Sequence, residues 1–454
     1  MMPLLNLLRH IYNFKKMRDL DVHQVRLLQR RRLNSLLRHV MTNSRFYRRY
    51  YSEHGITIDR VEDIELKDIP LIDKKIMMEN FDDLVCDPAL KKEELERFIM
   101  DPSNKGKKYK GSYTVIHTSG TSGRIGLFVY KDKELDIILA MDIARFSKSR
   151  INPLRKIKVV FFGAIDGNYA GVSLMRYVPR FVSKMIYLDI LAPLEEVVRT
   201  LNDFQPELLV TYNSGAYILA QEQLKGSLNI RPKKITGSAD PCTPKMRETI
   251  REAFGIEPFN CYLASESIGM AAECEYHDGL HLFDDWHCFE VLDKNMNPVS
   301  HGRLGNLVIT TLYKCAQPLI RYKMSDLLGI EDTPCRCGWP FPRIIKFAGR
   351  EYDSLWFTRS NGQREVLHYS IPGEFFVPGL KKIQYIQVSD NRLLLKAVVD
   401  GDPDESVAAI RSRMAEILKM KRLENEVSFD IELVDEINND PKTGKFRLII
   451  PLVG

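Results

Sequence analysis

The spacing of apolar positions predicts a helical N-terminal segment followed by strands and helices in alternation. Leu33, Leu37 and Val40 recur at helical spacing within a predicted helix over residues 22–52. From residue 114 onward, short apolar or β-branched runs replace this pattern. The predicted strands are 114–117, 127–130, 158–163, 208–212 and 234–237, and the predicted helices among them include 133–148 and 244–254. This alternation is typical of helix-covered parallel sheets, so we expect an α/β fold.

Two later parts of the chain have a different pattern of apolar and polar residues. Residues 303–330 are expected to form a β-rich module. Near the C-terminus, strand-like runs alternate with one helix over 405–420, which predicts a small α+β domain. A chain of 454 residues is too long for one compact core. We therefore expect a large domain over 1–350 and a small C-terminal domain over 351–454.

Charge is concentrated in the N-terminal segment, where residues 1–50 carry twelve basic and two acidic side chains against a net charge of +6 for the whole chain. A basic arm that contacts nucleic acid or an anionic membrane is one interpretation. We favour the other, in which these arginines form the wet face of a packed helix; they are Arg30, Arg31, Arg32 and Arg38. No nucleic-acid partner is expected. No apolar run approaches the roughly 20 residues that span a bilayer, so we expect a cytoplasmic protein, with a dimer as one option for its assembly.

The first candidate for chemistry is a run of small hydroxyl residues and glycines after the predicted strand 114–117. The run is Thr118, Ser119, Gly120, Thr121, Ser122 and Gly123, followed by Arg124. Such a loop brings backbone N–H groups and hydroxyls close around a polyphosphate. Its spacing fits neither the Walker loop nor the dinucleotide-binding glycine pattern. We expect phosphate binding, with a flexible surface loop as the alternative.

Aromatic and acidic groups in two later segments suit a nucleotide and its metal. Tyr262 precedes Ser265 and Glu266, which offers a ring for a purine, a hydroxyl for a phosphate and a carboxylate for Mg²⁺. Asp326 follows a strand-like run and can accept hydrogen bonds from both ribose hydroxyls. Taken singly, Tyr262 is more typical of a core residue, and the alternative for Asp326 is a turn.

Two basic residues near the C-terminal part complete this set. Arg350 suits a phosphate because its guanidinium is a planar fork. Lys445 lies in the turn 441–447, which contains proline and glycine and would project an ammonium from a loop.

The order of these motifs resembles that of the adenylate-forming superfamily of acyl-CoA synthetases and related ligases. The segments are TSGTSGR, SADP, YLASE, LIRYKMSD, GREYD and PKTGKFR. The chain is similar in particular to the phenylacetate–CoA ligase-like branch with its CapK relatives, over nearly its whole length. The resemblance implies a large N-terminal adenylation domain of helix-covered sheets with a β-rich module. It also implies a small, mobile C-terminal α+β domain that carries the catalytic lysine.

The resemblance implies a role for each candidate in binding the nucleotide. The run Thr118–Gly123 would hold the β- and γ-phosphates. The segment that would line the adenine and acyl pockets consists of Ser238, Ala239, Asp240 and Pro241. Tyr262 would stack on adenine, Ser265 would contact the α-phosphate, and Glu266 would bind Mg²⁺.

The resemblance also implies how the remaining candidates act. Asp326 would hold the ribose hydroxyls, and Arg350 would reach the ribose-phosphate side. Lys445 would bridge the incoming carboxylate and the α-phosphate of ATP. Asp353 would be the hinge between the domains.

These roles imply an acid-activating reaction. The carboxylate that attacks ATP meets charge repulsion, which Mg²⁺ and the Lys445 ammonium offset. Pyrophosphate leaves, and the C-terminal domain then rotates to admit an acceptor for the acyl-AMP. CoA is the expected acceptor. The loop 354–363 departs from the glycine-containing sequence that the family has at this place. The alternative acceptors are therefore a carrier-protein thiol, or an amine or hydroxyl in polysaccharide biosynthesis. A non-catalytic nucleotide-binding regulatory protein is the alternative from another class.

The acid itself is not specified by these motifs. Phe161, Tyr169 and Tyr212 are candidates for its pocket, which would favour an aromatic acid. Core packing explains the same residues equally well.

Eight cysteines in this length do not make a disulfide framework. Cys335 and Cys337 form a tight pair, and with Cys274 and His281 they supply enough ligands for one tetrahedral zinc ion. His277, at a C-x-x-H spacing from Cys274, is the substitute ligand. Relatives with the same phrases favour a structural zinc site, and the alternative is a set of buried thiols that do not meet.

Overall fold

The computed structural model describes residues 4–118, 126–146, 155–165, 167–347, 355–367, 375, 377–438, 447–450 and 452. Within these residues, the helices of the N-terminal part are α1 (Leu4–Lys16), α2 (Val22–Asn43), α3 (Arg45–Glu53), α4 (Lys74–Glu79), α5 (Phe81–Leu84) and α6 (Lys92–Met100). The later helices are α7 (Asp132–Phe146), α8 (Ala170–Tyr177), α9 (Leu194–Phe204), α10 (Asn213–Lys225), α11 (Pro244–Phe254) and α12 (Pro403–Met420).

The strands up to the end of the large sheet are β1 (Tyr113–His117), β2 (Leu127–Lys131), β3 (Ile157–Gly163), β4 (Ser183–Asp189), β5 (Leu208–Tyr212), β6 (Lys234–Ser238), β7 (Phe259–Tyr262), β8 (Ala271–Glu273), β9 (Leu280–Leu282), β10 (His287–Leu292), β11 (Gly305–Thr311), β12 (Tyr322–Glu331) and β13 (Arg343–Phe347). The remaining strands are β14 (Leu355–Thr358), β15 (Arg364–Leu367), β16 (Leu380–Ser389), β17 (Arg392–Val399), β18 (Ser428–Leu433) and β19 (Ile449–Ile450).

One 11-stranded sheet organises the N-terminal part, in the order β10-β11-β12-β13-β9-β8-β7-β6-β5-β3-β4. The half from β4 to β7 is parallel, and the half from β7 to β10 is antiparallel. Parallel strands need helical crossovers, which α9, α10 and α11 supply. The fold class is therefore confirmed, including the β-rich character expected of residues 303–330.

The predicted helix over 22–52 is two helices, because the chain turns at Ser44. This residue has an extended backbone, and its side chain accepts a hydrogen bond from the N–H of Tyr47, which caps α3. The apolar stripe of α2 is buried as expected. The expected wet face is wrong at Arg32, whose guanidinium lies 3.5 Å from the centre of the Trp286 ring and donates to the Asp285 carbonyl.

The C-terminal part has two sheets of its own. The strands β14 and β15 form a hairpin, and β16 to β19 form a four-stranded sheet with α12. Its apolar residues join one core with those of β3, β5, α9 and α10. The proposed domain boundary at 350 and the hinge residue Asp353 lie outside the described residues, so the division at 350 and 351 stays a prediction.

We looked for helices that could cross a membrane. None within the described residues is long and apolar enough to do so.

Candidate nucleotide and metal sites

The predicted phosphate loop connects two antiparallel strands. His117 at the end of β1 pairs with Leu127 at the start of β2, so the intervening segment is a hairpin loop. The Thr118 hydroxyl accepts the Gly126 N–H at 2.9 Å, which fastens the base of this loop. The other members of the run, Ser119 to Gly123, lie outside the described residues.

A lysine that the sequence motifs did not single out lies at this base. The Lys74 ammonium, at the start of α4, donates to the Thr118 hydroxyl oxygen at 3.0 Å. It also lies close enough to Glu266 to favour the ionised form of that carboxyl group. A cation beside a phosphate loop lowers the cost of binding a polyanion. No sequence signal separates Lys74 from the other surface lysines of the chain.

The predicted adenine and ribose residues lie side by side. The Tyr262 hydroxyl donates to a carboxylate oxygen of Asp326 at 2.9 Å, across 64 positions of sequence. The ring of Phe347 meets the Tyr262 ring edge-on, with centroids 5.1 Å apart. A flat ring next to a carboxylate is the arrangement that an adenosine requires, since one group contacts the base and the other accepts from the ribose.

Glu266 follows β7 in a half-buried segment and carries a perturbed carboxyl group. Burial, with a smaller contribution from the neighbouring Asp326, raises its pKa to about 7 against the opposing influence of Lys74 and Lys314. Two carboxylates in a poorly solvated position favour the binding of a cation.

Lys314 lies behind Glu266 and is a second functional candidate that the sequence did not reveal. It is fully buried. Burial lowers the pKa of its ammonium to about 8, against the opposing influence of Glu134 and Glu266. Buried lysines are rare unless they are paired or functional.

The segment 238–241 uses its acidic residue within the protein. The Asp240 carboxylate accepts the backbone N–H groups of Asn213 at 2.7 Å and Ser214 at 2.8 Å, at the start of α10. These bonds fix the loop against the helix, while burial raises the pKa of Asp240 to about 6. Roles for Ser238, Ala239 and Pro241 in the adenine and acyl pockets stay predictions.

The three aromatic candidates for the acid pocket lie at or beyond the carboxyl ends of β3 and β5. Phe161 and Tyr212 are buried, and the Tyr212 hydroxyl accepts the Ala164 N–H at 3.1 Å. Tyr169 lies beside His117, with ring centroids 5.0 Å apart. A role for these three residues in the acid pocket stays a prediction.

Arg350 and Lys445 lie outside the described residues. Their roles in phosphate contact and catalysis therefore stay predictions.

Four of the predicted zinc ligands converge. The donor atoms of Cys274, His281, Cys335 and Cys337 all lie within 4.8 Å of one another. The thiols of Cys274 and Cys335 are 3.7 Å apart, and the Cys337 sulfur is 3.4 Å from Nε2 of His281. They come from the end of β8, from β9 and from the loop before β13. The alternative of thiols that do not meet is thus wrong.

The tautomer and charge of His281 suit a metal ligand. Nδ1 of His281 lies 3.2 Å from the carbonyl oxygen of Phe341, which favours a proton on Nδ1 and a free Nε2. Burial lowers the pKa of His281 to about 4, so the ring is neutral at pH 7. The substitute ligand His277 does not join the cluster, since its Nδ1 lies 2.7 Å from Glu273.

Comparison with known proteins shows which proteins the chain is similar to. No protein-family model matches the chain. The chain is 26% identical to phenylacetate-coenzyme A ligase of Thermus thermophilus over 352 residues. The matched region covers 75% of this chain and 73% of that protein. The chain is 23% identical to protein CapK of Staphylococcus aureus over 93% of this chain and 88% of the relative. The chain is a relative of the adenylate-forming, phenylacetate–CoA ligase-like branch.

Solved structures of this superfamily have the same fold. The chain superposes on 2-hydroxyisobutyryl-CoA ligase in complex with 2-HIB-AMP and CoA with a TM-score of 0.62, at 22% identity over 94% of this chain and 90% of the other. The predicted enzyme class, an adenylate-forming ligase, is confirmed by these relationships.

Proposed function

We propose that this protein activates a carboxylic acid with ATP as an acyl-AMP and transfers the acyl group to CoA. The observation that carries the proposal is the contact between Tyr262 and Asp326, close to Glu266. Relatives named phenylacetate-coenzyme A ligase, which cover about three quarters of the chain, support the same activity.

In this proposal Tyr262 contacts the adenine ring and Asp326 accepts hydrogen bonds from the ribose. Glu266 would hold Mg²⁺, which fits because its half-buried carboxyl group lies beside a second carboxylate. The bound cation would reduce the negative charge that an attacking carboxylate meets at the α-phosphate. Lys74 adds a positive charge at the base of the phosphate loop.

The later steps are proposed for residues outside the described part of the chain. Lys445 would bridge the carboxylate oxygen and the α-phosphate as the new P–O bond forms and pyrophosphate leaves. Arg350 would contact the ribose-phosphate side. Rotation about Asp353 would then withdraw Lys445 and admit the thiol, which attacks the acyl carbonyl and releases AMP.

A different acceptor is the second candidate, and one comparison favours it. Protein CapK of Staphylococcus aureus matches 93% of the chain, a larger share than the phenylacetate-coenzyme A ligase of Thermus thermophilus. An amine or hydroxyl of a glycan intermediate, or a carrier-protein thiol, would then receive the acyl group. The adenylation half-reaction is the same in each case.

The four-residue Cys/His cluster is proposed to hold one structural zinc ion. Tetrahedral Zn–S bonds of about 2.3 Å separate two sulfurs by about 3.8 Å, and the Cys274 and Cys335 sulfurs are 3.7 Å apart. Elemental analysis should find one zinc ion per chain, and Cys335→Ser should lower both zinc content and melting temperature. Wild-type protein that is isolated without zinc, and whose melting temperature Cys335→Ser leaves unchanged, would contradict this assignment.

A panel of carboxylic acids tests the proposed activity. Wild-type protein should catalyse acid-dependent exchange of pyrophosphate into ATP with at least one acid, including aromatic members of the panel. Addition of CoA should then give acyl-CoA. Exchange without acyl-CoA would favour the second acceptor class, whereas ATP binding without exchange for any acid would favour a non-catalytic nucleotide-binding protein.

A further inference from the structure

The backbone around the proposed metal ligand is held from behind by buried side chains of other elements. The Tyr130 hydroxyl, from β2, donates to the Ser265 carbonyl at 2.7 Å. The Lys314 ammonium, from the turn after β11, donates to the Glu266 carbonyl at 3.4 Å. Two successive carbonyls of a loop are thus bonded to side chains more than 40 positions away in sequence.

The next residue of the loop is held as well. The Ser267 hydroxyl lies 2.8 Å from the Tyr313 hydroxyl and 2.7 Å from Nε2 of His287. Tyr313 directly precedes Lys314, so the turn after β11 contacts two consecutive residues of the metal loop. We use the name metal loop for residues 264–268.

Lys314 carries a positive charge although its side chain is fully buried. Its ammonium lies 3.9 Å from the centre of the Tyr130 ring, and within the described part of the chain it forms no ion pair shorter than 4.0 Å. Glu134 is nearby, but its carboxylate already accepts the N–H groups of Lys131, Cys315 and Ala316. A neutral donor would serve the Glu266 carbonyl without the cost of burying a charge.

We infer that Lys314 is a positioning residue, which fixes the metal loop so that the Glu266 carboxylate meets the metal and triphosphate in one orientation. This inference rests on the proposed function, because it assigns Glu266 the role of metal ligand. The buried ammonium holds the Glu266 carbonyl, while Asp326 and Lys74, which belong to the proposed nucleotide site, lie near the Glu266 carboxyl group. Tyr130 supports both, since it bonds Ser265 and lies under Lys314.

Hydrogen exchange in the absence of Mg²⁺ and ATP, with any structural zinc retained, tests the positioning role without any enzyme assay. Lys314→Met keeps most of the unbranched apolar side chain and removes the charged donor. The amides of residues 264–268 should exchange about tenfold faster, the factor expected for the loss of one hydrogen bond from a charged donor. Tyr130→Phe, which keeps the ring, should accelerate the same amides by a smaller factor.

Lys421→Met is the matched control, because Lys421 is also a buried lysine but lies in the C-terminal part. Lys421→Met is expected to destabilise the C-terminal part, so the comparison is made well below its melting temperature, where hydrogen exchange at residues 264–268 should stay at the wild-type rate. In pyrophosphate exchange, Lys314→Met should raise the half-saturating Mg²⁺ concentration about tenfold, while Lys421→Met should not raise it.

The inference would be overturned if amide hydrogen exchange at residues 264–268 were as slow in both Lys314→Met and Tyr130→Phe as in the wild type. If Lys314→Met does not fold, Tyr130→Phe alone decides, through the same amides. Failure of the proposed function would look different. The wild-type protein would then catalyse no acid-dependent pyrophosphate exchange, while hydrogen exchange at residues 264–268 would still respond to the substitutions.

Discussion

Among the described residues, two lysines are buried almost completely, and their charges are compensated in different ways. Lys421, in the C-terminal part, lies 3.3 Å from a carboxylate oxygen of Glu365 and donates to the Ala192 carbonyl at 2.9 Å. Lys314, behind the proposed metal loop, has one long hydrogen bond to the Glu266 carbonyl. Burial lowers the pKa of both ammonium groups.

The partners show what each charge does. Glu365 accepts from Lys421 and also from the N–H of Leu194 at the start of α9, so this ion pair ties the C-terminal part to the large sheet domain. A buried pair with all its bonds made has a structural role. The charge of Lys314 is instead directed towards a site that we propose binds a metal and a triphosphate. We therefore expect substitutions of the first lysine to change stability and those of the second to change activity.

The largest expected effect is on stability, at the Lys421–Glu365 pair. Lys421→Met removes one of the two cations at the buried Glu365 carboxylate, because the Arg359 guanidinium still lies 3.1 Å from it. The loss should be about 3 kcal/mol of folding free energy, the lower end of the range for breaking a buried ion pair. Calorimetry should show a clear fall in the melting temperature of the C-terminal part. The double variant Lys421→Met/Glu365→Leu should recover part of this loss, and a double variant less stable than the single one would contradict the assignment.

A somewhat smaller effect is expected on activity, at the metal loop. Glu266→Gln replaces a carboxylate with an amide, which is a poor ligand for a hard cation. Acid-dependent pyrophosphate exchange should fall by about 100-fold, the usual loss when one preorganised electrostatic contact is removed. The melting temperature should stay close to that of the wild type. If Glu266→Gln catalyses pyrophosphate exchange at the wild-type rate at limiting Mg²⁺, Glu266 is structural, and the contrast between the two lysines disappears.

The smallest effect concerns pH. A proton and Mg²⁺ compete for the Glu266 carboxylate, whose pKa in the metal-free protein is raised to about 7 by burial. The half-saturating Mg²⁺ concentration should therefore be high below pH 7 and fall as the pH rises through it, by about tenfold for each unit on the acidic side. Titration of Mg²⁺ at several pH values measures this dependence. A constant value between pH 6 and 8 would mean that Glu266 does not bind the metal.

Local patterns predicted the secondary structure well. The helix predicted over 244–254 is α11 at the same residues, where Thr243 supplies the N-cap and Gly255 ends the helix in a left-handed conformation. Ser44 was the exception in the N-terminal segment, because apolar spacing continues across its cap. The convergence of Cys274, His281, Cys335 and Cys337 was also foreseen, since cysteine and histidine types carry their chemistry in the sequence.

Long-range contacts account for what the sequence did not reveal. Lys74 and Lys314 reach the site from segments far from Glu266, and nothing near either residue in sequence marks it. Arg32 was expected in solvent because its helix is basic, but the ring that covers it, Trp286, comes from more than 250 positions later. His281 was the predicted ligand and His277 its substitute, and only the fold shows that Nδ1 of His277 lies 2.7 Å from Glu273 instead.

Isotope transfer tests the central claim most directly. If the acid carboxylate attacks the α-phosphate of ATP, one carboxylate oxygen leaves in the phosphate of AMP when the acyl group is transferred. A turnover with ¹⁸O-labelled acid, CoA and ATP, followed by mass spectrometry of the nucleotide, should give AMP that carries one ¹⁸O per acyl group transferred. Label in inorganic phosphate together with ADP, or AMP without label, would contradict acyl-adenylate formation.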